Sequence, residues 1–212
     1  MHSELLARAL SGISSETTAE EFRIKASITS KPIAENVLDF LRNNGIGTSS
    51  GRKVLFSNLD RLKIAILAIK LGCDIEQISK KLTWKDFEAL TSIILKLSGY
   101  KTAIHVTFSK PHIEIDVIGI KSQSAITVDC KHWKHGGLSV LSFYAKKQIE
   151  RTKILLAKKS NISSAIPMIL TLHSNKVRLI DGTPIVPIIE FRSFLDGLEN
   201  NLSELYVLYS RD

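Results

Sequence analysis

The chain has 212 residues, 44% hydrophobic and 24% charged, with a net charge of +8 at pH 7. That balance excludes disordered and fibrous classes and supplies apolar material for one large domain or two small ones. The longest apolar run, Ile64 to Ile69, is far shorter than the roughly eighteen residues of a bilayer span, and the opening MHSELLARAL is too short and too polar for a signal peptide, so the reading is a cytoplasmic protein with no membrane partner.

Cys73 and Cys130 are too few for a disulfide framework or a four-cysteine zinc site. The excess of 29 Lys and Arg over 21 Asp and Glu attracts polyanions, of which nucleic acid is the commonest. The excess is local. Residues 1–80 hold 11 basic and 9 acidic residues, net +2, and residues 81–212 hold 18 and 12, net +6. Eight basic residues and one acid, Glu150, fall between Lys131 and Lys159, a stretch that is either an electrostatic footprint or an ordinary solvated helix face.

In chain order, a short amphipathic helix comes first. Ser15 to Ala26 and Ser30 to Asn43 then read as two helices joined by a tight turn, the second with Ser30 as N-cap, Pro32 in its first turn and Ile33, Val37, Phe40 and Leu41 at helical spacing. Gly45, Gly47 and Gly51 punctuate a polar loop into Lys53 to Phe56, which predicts a small hairpin. Helix, turn, helix and hairpin is a winged-helix order, which binds DNA through residues such as Lys31, Glu35, Asn36, Arg52 and Lys53, or docks protein instead. Leu59 to Leu71 is an apolar helix with Leu62, Ile66, Leu67 and Ile69 inside, and Asp74 to Leu82 is a short linking helix.

Thr83 then stands as N-cap with Asp86 at capping-box spacing, opening a helix that ends near Gly99. Thr102 to Phe108, His112 to Ile120 and Ser124 to Lys131 read as three strands. A basic helix from Val140 to Lys159 follows, then a strand Ile166 to Leu172, strands near Val177 to Ile180 and Pro184 to Ile189, a helix Glu190 to Leu198 and a strand Glu204 to Tyr209. The order is αβββαβ with additions.

Side chains alternate across a strand, so Glu114 and Asp116 oppose Ile113, Ile115 and Val117, and Asp129 and Lys131 oppose Val128 and Cys130. If the strands are hairpin partners, Asp116 and Asp129 converge at the separation one divalent cation needs, and magnesium takes one or two carboxylates with water and substrate phosphate. On the preceding helix Glu88 lies beside the stripe Phe87, Leu90, Ile94 and Leu97, where a carboxylate needs a partner. Taken singly, each of these groups reads better as a helix-edge acid, a strand-end acid or a surface ion pair; their joint occurrence, in this order and on these elements, is what points to a site. His132 and His135 make a poor zinc site, and His105, His112 and His173 read as ordinary strand or loop residues.

The runs Thr83-Trp84-Lys85-Asp86-Phe87-Glu88, Gly99-Tyr100, Glu114-Ile115-Asp116-Val117-Ile118-Gly119 and Val128-Asp129-Cys130-Lys131-His132-Trp133 together resemble the PD-(D/E)xK nuclease superfamily. Within it they resemble Mrr-type restriction endonucleases and archaeal Holliday-junction resolvases. The resemblance covers about residues 83–195 and implies a restriction-endonuclease-like α/β core, a mixed sheet flanked by helices; the domain reading is that core over residues 81–212 after the helical winged-helix-like domain that the element order gives residues 1–80. The resemblance also implies Glu88, Asp116, Asp129 and Lys131 as the catalytic set, with Gln148 matching a glutamine on the following helix. The third-strand motif reads Asp-Cys-Lys where Glu-x-Lys is commoner, and no proline precedes Asp116.

The expectation is therefore an endonuclease that hydrolyses DNA with Mg²⁺ or Mn²⁺ held by Glu88, Asp116, Asp129 and the Cys130 carbonyl. Lys134, Lys146, Lys147, Arg151, Lys153, Arg52 and Lys53 contact nucleic acid, duplex or branched, and a homodimer cuts both strands. The alternatives are a non-catalytic DNA-binding or regulatory protein on a degenerate nuclease scaffold, and an RNA-processing nuclease.

Overall fold

A computed structural model describes residues 3–57, 59–131, 137–173 and 176–210, and the chain divides into two units, residues 1–86 and 87–212. The first unit runs α1 (Ser3–Gly12), β1 (Glu16–Thr18), α2 (Ala19–Lys25), α3 (Lys31–Asn43), β2 (Thr48–Ser50), β3 (Lys53–Leu55), α4 (Asp60–Lys70) and α5 (Ile75–Ser79). A helix from Ser15 to Ala26 is not what forms. Its first residues are β1, antiparallel to β3 with Thr17 opposite Val54. Thr18 then caps α2 in a reciprocal box with Glu21, so the helix starts only after it. With β2 on the other side of β3, a three-stranded sheet β1-β3-β2 lies beside the helices.

The buried faces of the helices are set by small residues as much as by large ones. In α3 they are Ala34, Val37, Leu38 and Leu41, with Ile33 exposed. In α4 they are Ile64, Ala65 and Ala68, and the expected stripe Leu62, Ile66, Leu67 and Ile69 is only half-buried. Two alanines on one face allow close helix approach, which draws that face inward in place of the more apolar one.

The second unit contains α6 (Trp84–Leu97), β4 (Lys101–Ser109), β5 (His112–Lys121), β6 (Ser124–Lys131), α7 (Leu138–Lys158), β7 (Ser164–Thr171), β8 (Leu179–Ile180), β9 (Thr183–Pro187), α8 (Phe191–Asp196) and β10 (Leu208–Tyr209); α6 starts just before the boundary. Thr83 and Asp86 exchange the capping bonds their spacing predicts. Leu97 lies outside the buried stripe, at 68% exposure, while Leu95 is buried in its stead. Residues 198–204 wind into 3₁₀ turns, so the last strand is only Leu208–Tyr209.

Among the described residues the sheet has seven strands. Its path is β4-β5-β6-β7-β9-β8, with β10 also on β7. β4, β5 and β6 form an antiparallel meander, while β6, β7 and β9 are parallel. This is the mixed α/β sheet flanked by helices that the element order implies. The α7 crossover covers β6 and β7, packing Leu155 and Leu156 against Ile115, Ile118, Ala125 and Ala165, and Leu141 and Ala145 against Ile169 and Ile185. No helix among the described residues is long and apolar enough to cross a membrane.

Asp181 and Gly182, both at positive φ, make the two-residue turn between β8 and β9. Gly182 accepts the Tyr206 N–H at 2.8 Å, and a Cβ there would stand 2.7 Å from that nitrogen. Gly182→Ala is therefore expected to destabilise the second unit by about 1–3 kcal/mol, read from urea unfolding curves.

Candidate active site

The ladder between β5 and β6 runs from Lys121↔Ser124 to Val117↔Val128 and stops there. Beyond it Cys130 donates its backbone N–H to Asp116 Oδ2 at 2.8 Å, so a side chain replaces the missing ladder bond. The carboxylate is thereby fixed between two diverging strands, and Asp129 is the residue that continues the register opposite it.

Asp129 is 1% exposed and carries two cations. Lys131 Nζ lies 2.8 Å from Oδ2 and Arg151 Nη1 lies 2.8 Å from Oδ1. Lys131 Nζ also sits 4.0 Å from the centroid of the Tyr144 ring on α7, which steadies the lysine stem. Arg151 comes from the same helix, whose buried positions Leu141, Ala145, Gln148, Thr152, Leu155 and Leu156 follow a helical stripe. The polar members of that stripe mark where the helix passes the site. Thr152 bonds the Gln148 carbonyl and Thr127, and Gln148 Oε1 faces Arg151 Nη1 at 3.4 Å.

Glu88 lies on the buried face of α6 at 3% exposure. Burial, then repulsion from Asp116, Glu114 and Asp129, push its carboxyl up to about 8, against a smaller pull from Lys131. Burial and the Asp129 charge likewise raise Asp116, opposed by the Cys130 N–H and by Lys131 and Arg151. The four groups expected from the sequence thus act on one another electrostatically, with Gln148 beside them. Cys130 packs its Sγ 3.6 Å from Thr91 Oγ1, and burial, then Asp116, push its thiol well up, so it stays protonated.

The spacing of sequence motifs does not single out His105. Its Nε2 stands 3.3 Å from Glu88 Oε2 and its Nδ1 3.0 Å from Glu114 Oε1, so one imidazole spans two carboxylates. It adopts φ 52°, a strained conformation for a non-glycine residue, and ladder pairing of β4 with β5 skips it while holding Ile104↔Val117 and Val106↔Ile115. Counting back along the hairpin from Ser109↔His112 sets His105 opposite Asp116. That count is the one trace of it in the sequence.

Of the residues expected to touch nucleic acid, Lys146, Lys147 and Lys153 are exposed on α7, Lys153 bonding Glu150 at 2.7 Å. Arg151 is turned inward to Asp129. Lys134 lies outside the described residues, as do His132 and His135. In the first unit Arg52 and Lys53 are exposed, with Lys53 paired to Glu16 at 2.8 Å.

Among the described residues no three His, Cys, Asp or Glu side chains form a group able to hold a metal ion. A cation at this site therefore draws on fewer protein ligands. The donor set suits magnesium or manganese, hard cations that take one or two carboxylates and complete their shell with backbone oxygen and water. Glu88 Oε2 and Asp129 Oδ2 are buried oxygens whose neighbours are His105 Nε2 at 3.3 Å and Lys131 Nζ at 2.8 Å, and the mutual repulsion of the acids is charge that a cation would offset.

The restriction endonuclease family model of the Mrr catalytic domain matches residues 79–189, more than half of the chain. No curated protein matches. Similar solved structures include the protein of unknown function AF1548, at 18% identity and TM-score 0.32 over 42% of this chain, and protein VC1899 from Vibrio cholerae, at 14% identity and TM-score 0.42 over 95% of it. The chain spans about half the length of each, 47% and 51%. With the family match covering α6, the β4–β6 meander, α7 and the acids they carry, the chain belongs to the restriction endonuclease family defined by the Mrr catalytic domain.

Proposed function

We propose that this protein is a divalent-metal-dependent endonuclease that hydrolyses DNA phosphodiester bonds. The observation that carries the reading is the meeting of Asp116, Asp129 and Lys131 where β5 and β6 part, with Glu88 close enough for its carboxyl to respond to both acids.

Asp116 and Asp129 would hold Mg²⁺ or Mn²⁺, helped by the Cys130 carbonyl and water, with Glu88 near enough to bond a water of that shell and not as a third carboxylate ligand. The bound cation supplies Lewis acidity and a lowered water pKa. The chain's own groups do the rest. Lys131, steadied on Tyr144, directs its ammonium to the attacking water and to the negative charge that builds on the phosphate oxygens. Glu88, held largely neutral below about pH 8 in the metal-free protein, can pass a proton at Oε2 and is oriented by His105. Lys146, Lys147 and Lys153 on the exposed face of α7 follow the phosphate backbone, and Arg52 and Lys53 add contacts from the β2–β3 hairpin of the first unit. Two such sites in a homodimer would cut both strands.

A second reading has one observation in its favour. Both oxygens of Asp129 already face cationic side chains, which is a stable arrangement for a scaffold that binds DNA without cutting it. Incubation of supercoiled, linear, forked and four-way DNA and of RNA with Mg²⁺ or Mn²⁺ separates the two. The nuclease should nick at least one DNA, and Asp129→Ala should nick none. Retarded migration of uncut DNA with both proteins would favour the scaffold, and cleavage of RNA alone would reassign the substrate.

A further inference from the structure

The two acids of the strand pair, Asp116 and Asp129, are matched in number by Lys131 and Arg151, and both of those cations lie on Asp129. A divalent cation needs the Asp129 oxygens, and those are the atoms the two side chains hold. The two holders differ. Lys131 belongs to the same strand and is anchored on Tyr144. Arg151 reaches across from α7 and contacts Asp129 through one nitrogen, without the paired fork that makes arginine–carboxylate contacts strong.

Arg151 Nε is buried with no hydrogen-bond partner among the described residues, and so is Nε2 of Gln148, one helical turn away. The Gln148 oxygen is turned to Arg151 Nη1, so the amide's donor end points elsewhere. Two N–H donors without acceptors, on and beside a guanidinium that meets its carboxylate through a single nitrogen, form a configuration that an anionic oxygen completes, because buried unsatisfied donors are costly.

We infer that Arg151 is a latch that exchanges partners, holding Asp129 in the ligand-free protein and moving to a phosphate oxygen of the nucleic-acid backbone when a divalent cation takes the Asp129 carboxylate. The exchange rests on the nuclease reading of the same site. Its consequence is positive coupling. Nucleic acid draws Arg151 from Asp129 and so favours the cation; the cation displaces Arg151 and so favours nucleic acid, by the same factor in both directions.

The test uses the full chain as wild type, R151Q and R151K. Mn²⁺ binding is measured by titration calorimetry without DNA. Binding of a labelled DNA duplex is measured by fluorescence anisotropy at one salt concentration, with and without Ca²⁺. R151Q is expected to bind Mn²⁺ at least about fivefold more tightly than wild type, while the factor by which Ca²⁺ tightens duplex binding falls toward one. R151K, with a more flexible and more strongly hydrated cation, should lie between. A residue that merely braces the fold predicts the opposite sign, weaker Mn²⁺ binding. Equal or weaker Mn²⁺ binding by the variants overturns the latch, and if R151Q does not fold, R151K decides by the same criterion. Should wild type cut DNA while neither variant gains affinity for Mn²⁺, the latch fails and the nuclease reading stands. Should R151Q gain that affinity while wild type cuts nothing, the latch stands and the hydrolytic reading fails.

Discussion

Asp116→Asn and Lys131→Met should each slow single-turnover nicking of supercoiled plasmid by at least about a hundredfold while leaving duplex binding within a few-fold of wild type. The substitutions are chosen so that the fold survives. Asn keeps an oxygen to accept the Cys130 N–H that closes the end of the β5–β6 ladder, and loses only the charge. Met keeps the length of the lysine's apolar stem and loses the ammonium, with its contact on the Tyr144 ring. In Lys131→Met, Asp129 still has Arg151, so the buried carboxylate is not stranded. Gel quantification against time, with anisotropy as the binding control, reads both effects. Either variant cutting at the wild-type rate would remove the basis for placing the chemistry at this sheet end.

The second large effect is on stability against pH in the metal-free protein. Glu88 has a folded-state pKa of about 8, raised by burial and by neighbouring acids. Below about pH 4.5 the carboxyl is protonated whether the chain is folded or not, and it contributes no penalty. Between there and about 8 the folded state retains a proton that the unfolded chain has released. Unfolding free energy therefore falls as pH rises through this window, by on the order of a few kcal/mol at most. Asp116, raised in the same direction, steepens the acid end of the slope. Urea unfolding in EDTA from pH 5 to 9 should show the decline, and Glu88→Gln should flatten most of it. A Glu88→Gln protein with the wild-type slope would mean that Glu88 ionises freely in the fold.

Much of the second unit was legible in the sequence, because periodicity and punctuation agreed there. The capping box at Thr83 and Asp86 and the β-branched runs delimit α6 and the three strands to within a residue or two of where they lie. Strand parity then brings Asp116 and Asp129 toward one another. Other features depended on tertiary contacts that local pattern does not encode. Glu16 to Thr18 pair with a strand 37 residues away, against the helical reading of their surroundings. In α4 the face that carries Ala65 and Ala68 is buried ahead of the expected Leu62, Ile66, Leu67 and Ile69. Arg151 read as one member of a basic run, yet the geometry of α7 against β6 turns it into the site. His105 reads as an ordinary strand or loop residue in the sequence, because nothing in its neighbours signals positive φ in the middle of a strand.

The parallel step from β6 to β7 has a kinetic corollary. The β4–β5–β6 meander is stitched by short turns, whereas β7 can join β6 only after the whole of α7 has been laid across them. Contacts that close long loops form slowly. Asp116 and Asp129 therefore come together early, whereas Arg151 and Gln148 arrive with the crossover, so a nascent chain carries its acids exposed before their counter-charges reach them. Divalent cations in the refolding buffer should be able to occupy those acids first, and so alter the rate of the late phase.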